Sequence, residues 1–163
     1  MSAPNNPSAK DDCTLLVVAQ YDPAACRLNR TIAVSHQEVE GLASEVQQVL
    51  RSNGWDEEAS RAAQLLVMEH GVNVVDHAGT PPGSRMTLQL RLSERQAFIL
   101  FRDFGKEWNL PAKLDSALHY ETDSDRGRGL RIIHTIAKHI DNARQNCENV
   151  THYIVSRFFE CSP

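Results

Sequence analysis

Residues 69–78 read Glu-His-Gly-Val-Asn-Val-Val-Asp-His-Ala, and they decide the fold. They belong to a run, residues 56–78, that predicts a helix, because Asp56 can cap its first turn and Gly79 with the prolines that follow can end it. At about 100° per residue, one apolar stripe of this helix is predicted to face the core. Its members are Leu65, Met68, Val72 and Val75.

A polar stripe adjoins that apolar stripe on the same helix. It contains Glu69, Asn73 and Asp76, with His77 at its far edge. Polar side chains beside a core face are half-buried and must find partners, and a ligand carrying a metal ion is one candidate. The alternative is the solvated face of an ordinary amphipathic helix, which the helix alone would favour. The downstream chain shifts the balance toward a ligand.

Length, charge and cysteine content restrict the class of protein. The 163 residues suit one domain with a sizeable core, predicted to span residues 13–163 after a flexible tail at residues 1–12. The net charge of −4 argues against broad binding to nucleic acid or to an anionic membrane. No apolar run approaches the roughly 20 residues needed to cross a bilayer. The four cysteines show no C-x-x-C spacing, which favours reduced thiols in a cytoplasmic protein.

The rest of the chain alternates predicted strands and helices. Ser35 and Glu38 form a capping box, and the helix that follows is predicted to end at Asn53. Strands are predicted at residues 28–34, 86–92, 97–101 and 151–159, and a further strand or arm at residues 13–19. A short turn separates the two middle strands, which should therefore form an antiparallel hairpin.

Two further regions lie between the hairpin and the last strand. Residues 106–126 are polar with weak periodicity, and connections of this length inside a compact domain are often functional lids. A helix is then predicted to begin at Gly127-Arg128-Gly129. Its predicted apolar face contains Leu130, Ile133, Ala137 and Ile140.

Two short motifs could carry ligand chemistry. Asp103 and Gly105 stand at the end of a predicted strand, where a carboxylate can accept a hydrogen bond from an exocyclic amine and a glycine lets a flat ring approach the backbone. Gly127-Arg128-Gly129-Leu130 opens a helix, where backbone N–H groups and the helix dipole favour an anion such as phosphate. Taken singly, the motifs are as well explained by a plain turn and a loop-to-helix joint.

Taken in order, the motifs resemble those of the GHKL ATPase superfamily: E-x-x-x-N-x-x-x-H-A on a helix, a hairpin, D-x-G at a strand end, a polar lid and G-x-G-L at a helix start. Within it, the chain is similar to the small bacterial anti-sigma-factor serine/threonine kinases. The resemblance covers residues 28–159. It implies a Bergerat-type ATP-binding fold, an α/β two-layer sandwich. A mixed, mainly antiparallel sheet would carry helices on one face, with ATP between the layers.

The resemblance implies a role for each matching residue. Glu69 would be the catalytic general base toward a Ser or Thr hydroxyl, and Asn73 would hold Mg²⁺ bridging the phosphates. Asp103 would bind the adenine amine, with Gly105 leaving room for the base. The remaining nucleotide-binding residues would be Arg126, Gly127, Arg128, Gly129, Leu130 and Thr151. A structural role is implied for His77.

The chain departs from the family pattern just before its last strand. Glycines are common there, and this sequence has Asn146-Cys147-Glu148-Asn149. Phe104 and Lys106 also replace residues that are frequently small or proline-like. These departures concern the fit of the nucleotide rather than the fold.

The function implied is that of an ATP-dependent Ser/Thr protein kinase in the cytoplasm. Its substrate would be a STAS-domain antagonist, its sequestered partner a sigma factor, and it would form a homodimer through edge strands within residues 14–34. The main alternative is a non-catalytic binding module of the same fold that sequesters a partner, and the presence of Glu69 weighs against it. A second alternative is a kinase-like domain in a phosphatase-linked switch unrelated to sigma factors.

Overall fold

The computed structural model describes residues 26–107 and 128–157. Within these residues the chain forms five strands and three helices. Their bounds are β1 Cys26–Ala33, α1 His36–Ser52, α2 Glu57–His77, β2 Arg85–Leu92, β3 Gln96–Asp103, α3 Arg128–Ile136, β4 Ala137–Gln145 and β5 Glu148–Ser156. The predicted tail, the predicted strand or arm at residues 13–19 and most of the predicted lid lie outside the described residues, as do Arg126 and Gly127. No helix in the described ranges is long and apolar enough to cross a membrane.

The described strands form one sheet in the order β1-β2-β3-β5-β4. Every neighbouring pair runs antiparallel, including the predicted β2–β3 hairpin, so the sheet expected to be mixed is wholly antiparallel over these strands. Buried residues alternate along β3, ending at Phe101 and Asp103, because alternate side chains point to the face that the helices cover. The α/β two-layer sandwich is confirmed.

Both long helices begin where their capping residues predict. The hydroxyl of Ser35 accepts a hydrogen bond from the Glu38 N–H at 3.4 Å at the start of α1. Asp56 Oδ1 accepts one from the Ala59 N–H at 2.7 Å at the start of α2. Each cap satisfies a backbone donor that the first helical turn would otherwise leave without a partner. The two helices then pack against each other over the inner face of the sheet.

The helix α2 has the predicted bounds, but its predicted apolar stripe is wrong. Leu65 is 41% exposed, and the other three members are only partly buried. The buried face contains Ala59, Ser60, Ala63, Leu66, Val67, His70, Gly71 and Val74. Apolar residues occur almost all round this helix, so their spacing alone does not decide which face is inside. Small residues such as Gly71 mark the true face because they let α1 approach closely, and they carry little weight in a hydrophobic pattern.

The helix predicted to begin at Gly127-Arg128-Gly129 and to include Ile140 is too long. The helix α3 ends at Ile136, and Ile140 is instead the one fully buried residue of the edge strand β4. An edge strand with a single buried side chain shows no alternation of apolar and polar residues, which is why the sequence did not predict it. The β4–β5 turn is also hard to predict from sequence. Asn146 and Cys147 adopt φ of 49° and 67°, at positions where a two-residue hairpin usually carries Asn-Gly.

Two helical glycines should respond in opposite directions to alanine. A Cβ at Gly71 would lie 2.5 Å from Val39 Cγ1, and the buried, β-branched Val39 cannot swing away, so Gly71→Ala should lower the free energy of unfolding by about 1 kcal/mol or more. A Cβ at Gly41 on α1 would meet no described atom within 4 Å, so Gly41→Ala should raise it by about 0.5–1 kcal/mol through helix propensity. Urea denaturation measures both changes. Equal shifts in the same direction would contradict the close α1–α2 contact.

Candidate active site

Glu69 and Asn73 lie one turn apart on α2, and both are half-buried. They face the start of α3. A Cβ built on Gly129 would lie 2.5 Å from Glu69 Oε2 and 3.9 Å from Asn73 Nδ2, so a larger residue would displace the carboxylate from its present position. The structure therefore brings together three of the predicted site residues, a carboxylate, an amide and a glycine at a helix N-terminus.

A cavity of about 330 Å³ adjoins this point. It lies between the C-terminal half of α2, the chain that follows β3 and the start of α3. Its walls are formed by Asn73, Val74, His77, Ala78, Lys106, Glu107 and Leu130. The Nδ2 atom of Asn73 is buried and has no hydrogen-bond partner among the described residues. A buried amide without a partner is costly, which makes Asn73 a residue that a ligand in this cavity could satisfy.

Asp103 is the last residue of β3 and is only 1% exposed. Its Oδ1 accepts two hydrogen bonds, from the Gly105 N–H and from Asn149 Nδ2, each at 2.8 Å. Its Oδ2 is buried and has no partner within the described part of the chain. Oδ1 thus accepts two hydrogen bonds, whereas Oδ2 is a buried acceptor without a described donor.

Opposing influences act on the Asp103 carboxyl. Burial raises its pKa, while the hydrogen bonds from Asn149 and Gly105 and the positive charge of Arg144 lower it. When ionised, a carboxylate only accepts hydrogen bonds. The Oδ2 atom therefore suits an N–H donor such as the exocyclic amine of adenine, which is the role predicted for Asp103.

Gly105 fixes the end of β3 against the end of α2. A Cβ on Gly105 would clash with the Ala78 Cβ and would lie 2.9 Å from Asp103 Oδ1. The next residue, Lys106, donates its backbone N–H to the Ala78 carbonyl at 2.7 Å. The structure gives this glycine a packing role where β3 ends against α2, and the predicted approach of a flat base stays a prediction.

The other predicted residues take varied positions. Thr151 is fully buried on β5 two residues from Asn149, and its hydroxyl donates to Asn142 Oδ1 at 3.3 Å, not to Asp103. Leu130 lines the cavity, and Arg128 is exposed at the first residue of α3. The exposed His77 contributes to the cavity wall. Arg126 and Gly127 lie outside the described residues.

Sequence reasoning missed three residues that support the site. His70 lies next to Glu69, but its ring is stacked on Phe101 at a centroid distance of 3.9 Å and its Nδ1 lies 2.9 Å from the Tyr153 hydroxyl. Burial lowers the pKa of His70 to about 3, so the ring is neutral. Because adjacent residues of a helix point about 100° apart, burying His70 turns Glu69 toward α3. The other two are Asn149 and Arg144, which hold Asp103.

The residues present fit Mg²⁺-ATP. Within the described residues there is no group of three or more His, Cys, Asp or Glu side chains that could hold a metal ion. Mg²⁺ keeps several waters and is usually bound through one or two protein groups together with substrate phosphates. Asn73, with its buried amide without a described partner, suits that mode, since the oxygen and nitrogen of an amide are assigned from the hydrogen-bond network.

Removing the Asp103 charge should stabilise the ligand-free protein. Asp103→Asn keeps an acceptor for Gly105 and Asn149 but replaces a buried, ionised oxygen, and we expect a gain of about 1 kcal/mol or more in unfolding free energy at neutral pH. Burial raises the pKa of Asp103 in the folded protein, so wild-type stability is lost as the pH rises through that raised pKa. The gain should therefore be small at low pH and grow toward neutrality.

Urea denaturation between acidic and neutral pH measures this difference. Glu40→Gln, which removes an exposed carboxylate on α1, is the matched control and should show little change. A less stable Asp103→Asn at neutral pH would mean that the carboxylate holds the fold together and is not kept for a ligand.

Comparison with known proteins identifies the family of this site. Residues 32–153 match the family described as the histidine kinase-like ATPase domain, a span that includes α2, Asp103, α3 and Thr151. No curated protein matches the sequence at a significant level. Family membership implies ATP binding, in agreement with the Asn73 amide in the cavity wall and the Asp103 oxygen, both of which lack a described partner. The chain belongs to the histidine kinase-like ATPase domain family.

Proposed function

We propose that this ATPase-fold protein is a Ser/Thr protein kinase that acts as an anti-sigma factor in a partner-switching pathway. It phosphorylates a STAS-domain antagonist and sequesters a sigma factor. The observation that carries the proposal is the position of Glu69, whose Oε2 lies against the Gly129 backbone at the start of α3. That helix start is where backbone N–H groups and the dipole favour phosphate. A carboxylate beside the phosphate site is where a general base for an incoming hydroxyl is needed.

The chain's own residues divide the work of phosphoryl transfer. Asp103 Oδ2 accepts a hydrogen bond from the adenine amine and sets the position of the nucleotide. Asn73 would hold Mg²⁺, which when bound neutralises phosphate charge. Glu69 takes the proton from the Ser or Thr hydroxyl or aligns it, and backbone N–H groups at the start of α3 bind the phosphates. Since phosphoryl transfer depends mostly on positioning and charge neutralisation, these few groups suffice.

The partners and assembly are part of the same proposal. β1 pairs with β2 on one side and is an edge strand of the described sheet, which supports a homodimer formed through residues 14–34. The free thiols of Cys26 and Cys147 suit the reducing cytoplasm. The STAS-domain and sigma-factor partners rest on the resemblance to the anti-sigma kinases, and direct nucleic-acid or membrane binding is not part of the proposal.

One observation favours a non-catalytic binding module instead. A carboxylate at a helix N-terminus stabilises the helix, because the dipole there is positive. Glu69 is close enough to Gly129 to act on α3 in that way. On this view Glu69 orders the start of α3, nucleotide is structural, and the protein sequesters a partner without phosphorylating it.

Glu69→Gln separates the two functions. It keeps the side chain's shape but removes the base, so binding of Mg²⁺-ADP should stay within about threefold of wild type while phosphotransfer falls by about 10²–10⁴-fold. Isothermal titration with ADP measures the first quantity. Transfer of ³²P from labelled ATP to purified STAS-domain proteins of the source organism measures the second.

Glu40→Gln is the matched control, since it removes an exposed carboxylate on α1 and should leave both quantities unchanged. Equal losses of binding and transfer in Glu69→Gln would give Glu69 a structural role. A wild type that binds ADP but transfers phosphate to no STAS-domain protein would favour the binding module.

A further inference from the structure

A chain of hydrogen bonds runs from the edge strand β4 to the buried carboxylate of Asp103. Arg144 Nη1 on β4 donates to the Asn149 side-chain oxygen and to the Gly105 carbonyl, both at 2.7 Å. Asn149 Nδ2 in turn donates to Asp103 Oδ1 at 2.8 Å and to the Lys106 carbonyl at 3.0 Å. Asn149 is 1% exposed, and its bond to Asp103 is buried, while its bonds with Arg144 and the Lys106 carbonyl are partly buried.

The network allows only one orientation of the Asn149 amide. A guanidinium group donates hydrogen bonds and never accepts them, so the amide oxygen must face Arg144. The amide nitrogen must then face the two acceptors, Asp103 and the Lys106 carbonyl, and each of its hydrogens has one partner. Arg144 therefore determines that Asn149 presents a donor, and not an acceptor, to Asp103.

This donor decides which oxygen of Asp103 remains for a ligand. The Oδ1 atom already accepts from Asn149 and from the Gly105 N–H, so turning the carboxylate would break two buried hydrogen bonds. The Oδ2 atom is left buried and has no partner within residues 26–107 and 128–157. A base that offers an N–H group can pair with Oδ2, whereas a base that offers a carbonyl oxygen would bring two acceptors together.

We propose that Asn149, oriented by Arg144, is a specificity-determining residue that makes the site select a 6-aminopurine nucleotide over a 6-oxopurine nucleotide. The proposal rests on the proposed binding of the base by Asp103. Neither residue touches the base. Both act by holding the Asp103 carboxylate in one orientation.

Electrostatics around Asp103 supports this selection. Burial raises the pKa of Asp103, and a protonated carboxyl could donate to a carbonyl oxygen and accept the wrong base. The hydrogen bonds from Asn149 and Gly105 and the charge of Arg144 lower this pKa, while the charge of Glu148 raises it. Glu148 is itself paired with Arg102 at 2.9 Å. Tyr153 on β5 stays neutral, because burial and the Asp103 charge raise its pKa.

The test compares two nucleotides that differ at position 6 of the purine. Isothermal titration gives the affinities for ADP and for inosine diphosphate, which carries a carbonyl oxygen where ADP carries its amine. Wild type should prefer ADP by about tenfold or more, the discrimination expected of one hydrogen bond to a charged group. Asn149→Ala should reduce the preference to within about threefold, because the Asp103 carboxylate is then no longer held in one orientation. A pocket that is merely weaker would instead lose affinity for both nucleotides alike.

A second variant keeps the test decisive if Asn149→Ala fails to fold. Arg144 is exposed on an edge strand, so Arg144→Met opens no cavity, yet it releases the amide of Asn149 and should also lower the preference for ADP. Arg27→Met, an exposed arginine on β1 at the opposite edge of the sheet, is the matched control and should keep the wild-type preference.

The outcomes separate this inference from the proposed function. A wild-type preference for ADP that survives in both variants would overturn the role of Asn149 and Arg144 but leave adenine binding at Asp103 intact. A wild type that binds neither nucleotide would overturn both. Loss of the preference in either folded variant, with Arg27→Met unchanged, supports the inference.

Discussion

The rest of the site depends on one buried carboxylate that is only half satisfied. Asp103 ends β3 with Oδ1 held by two donors and Oδ2 held by none of the described residues. Keeping an acceptor out of water without a partner is costly in the ligand-free protein. Neighbouring contacts keep the carboxylate in this position. The backbone hydrogen bond between Lys106 and Ala78 holds the strand end against α2, and the Asn149–Arg144 pair holds the carboxylate itself. Such a cost is expected where a ligand completes the site.

The helix α2 joins the core to the site because its faces do different work. His70 is turned into the core against Phe101 and Tyr153, and this leaves Glu69 facing the start of α3. Gly71 brings α1 close on one side, and Gly129 brings α3 close on the other. The positions of the carboxylate and the amide are thus set by core packing as much as by their own contacts, so changes in the α1–α2 interface should reach the site.

Much of the architecture could be predicted from local signals, because caps and turns act over a few residues. The capping residues Ser35 and Asp56 placed both long helices, and the motif around Asp103 placed a carboxylate at a strand end. Two things could not be predicted. The edge strand β4 takes its conformation from pairing with β5, and the buried face of α2 is chosen by small residues that contact α1. Arg144 supports Asp103 only because β4 pairs with β5, so a local sequence pattern does not predict this contact.

The central claim is that Asp103 binds the adenine base. An NMR titration of the ¹⁵N-labelled protein with Mg²⁺-ADP tests it most directly. The Gly105 amide donates to Asp103 Oδ1, so its resonance reports on the carboxylate. We predict large, saturable shifts at Gly105, Asn73 and the Asn149 side-chain amide, with small shifts at Thr31 on the distant strand β1. Saturable binding that leaves Gly105 and Asn149 unshifted would place the base elsewhere and contradict the account.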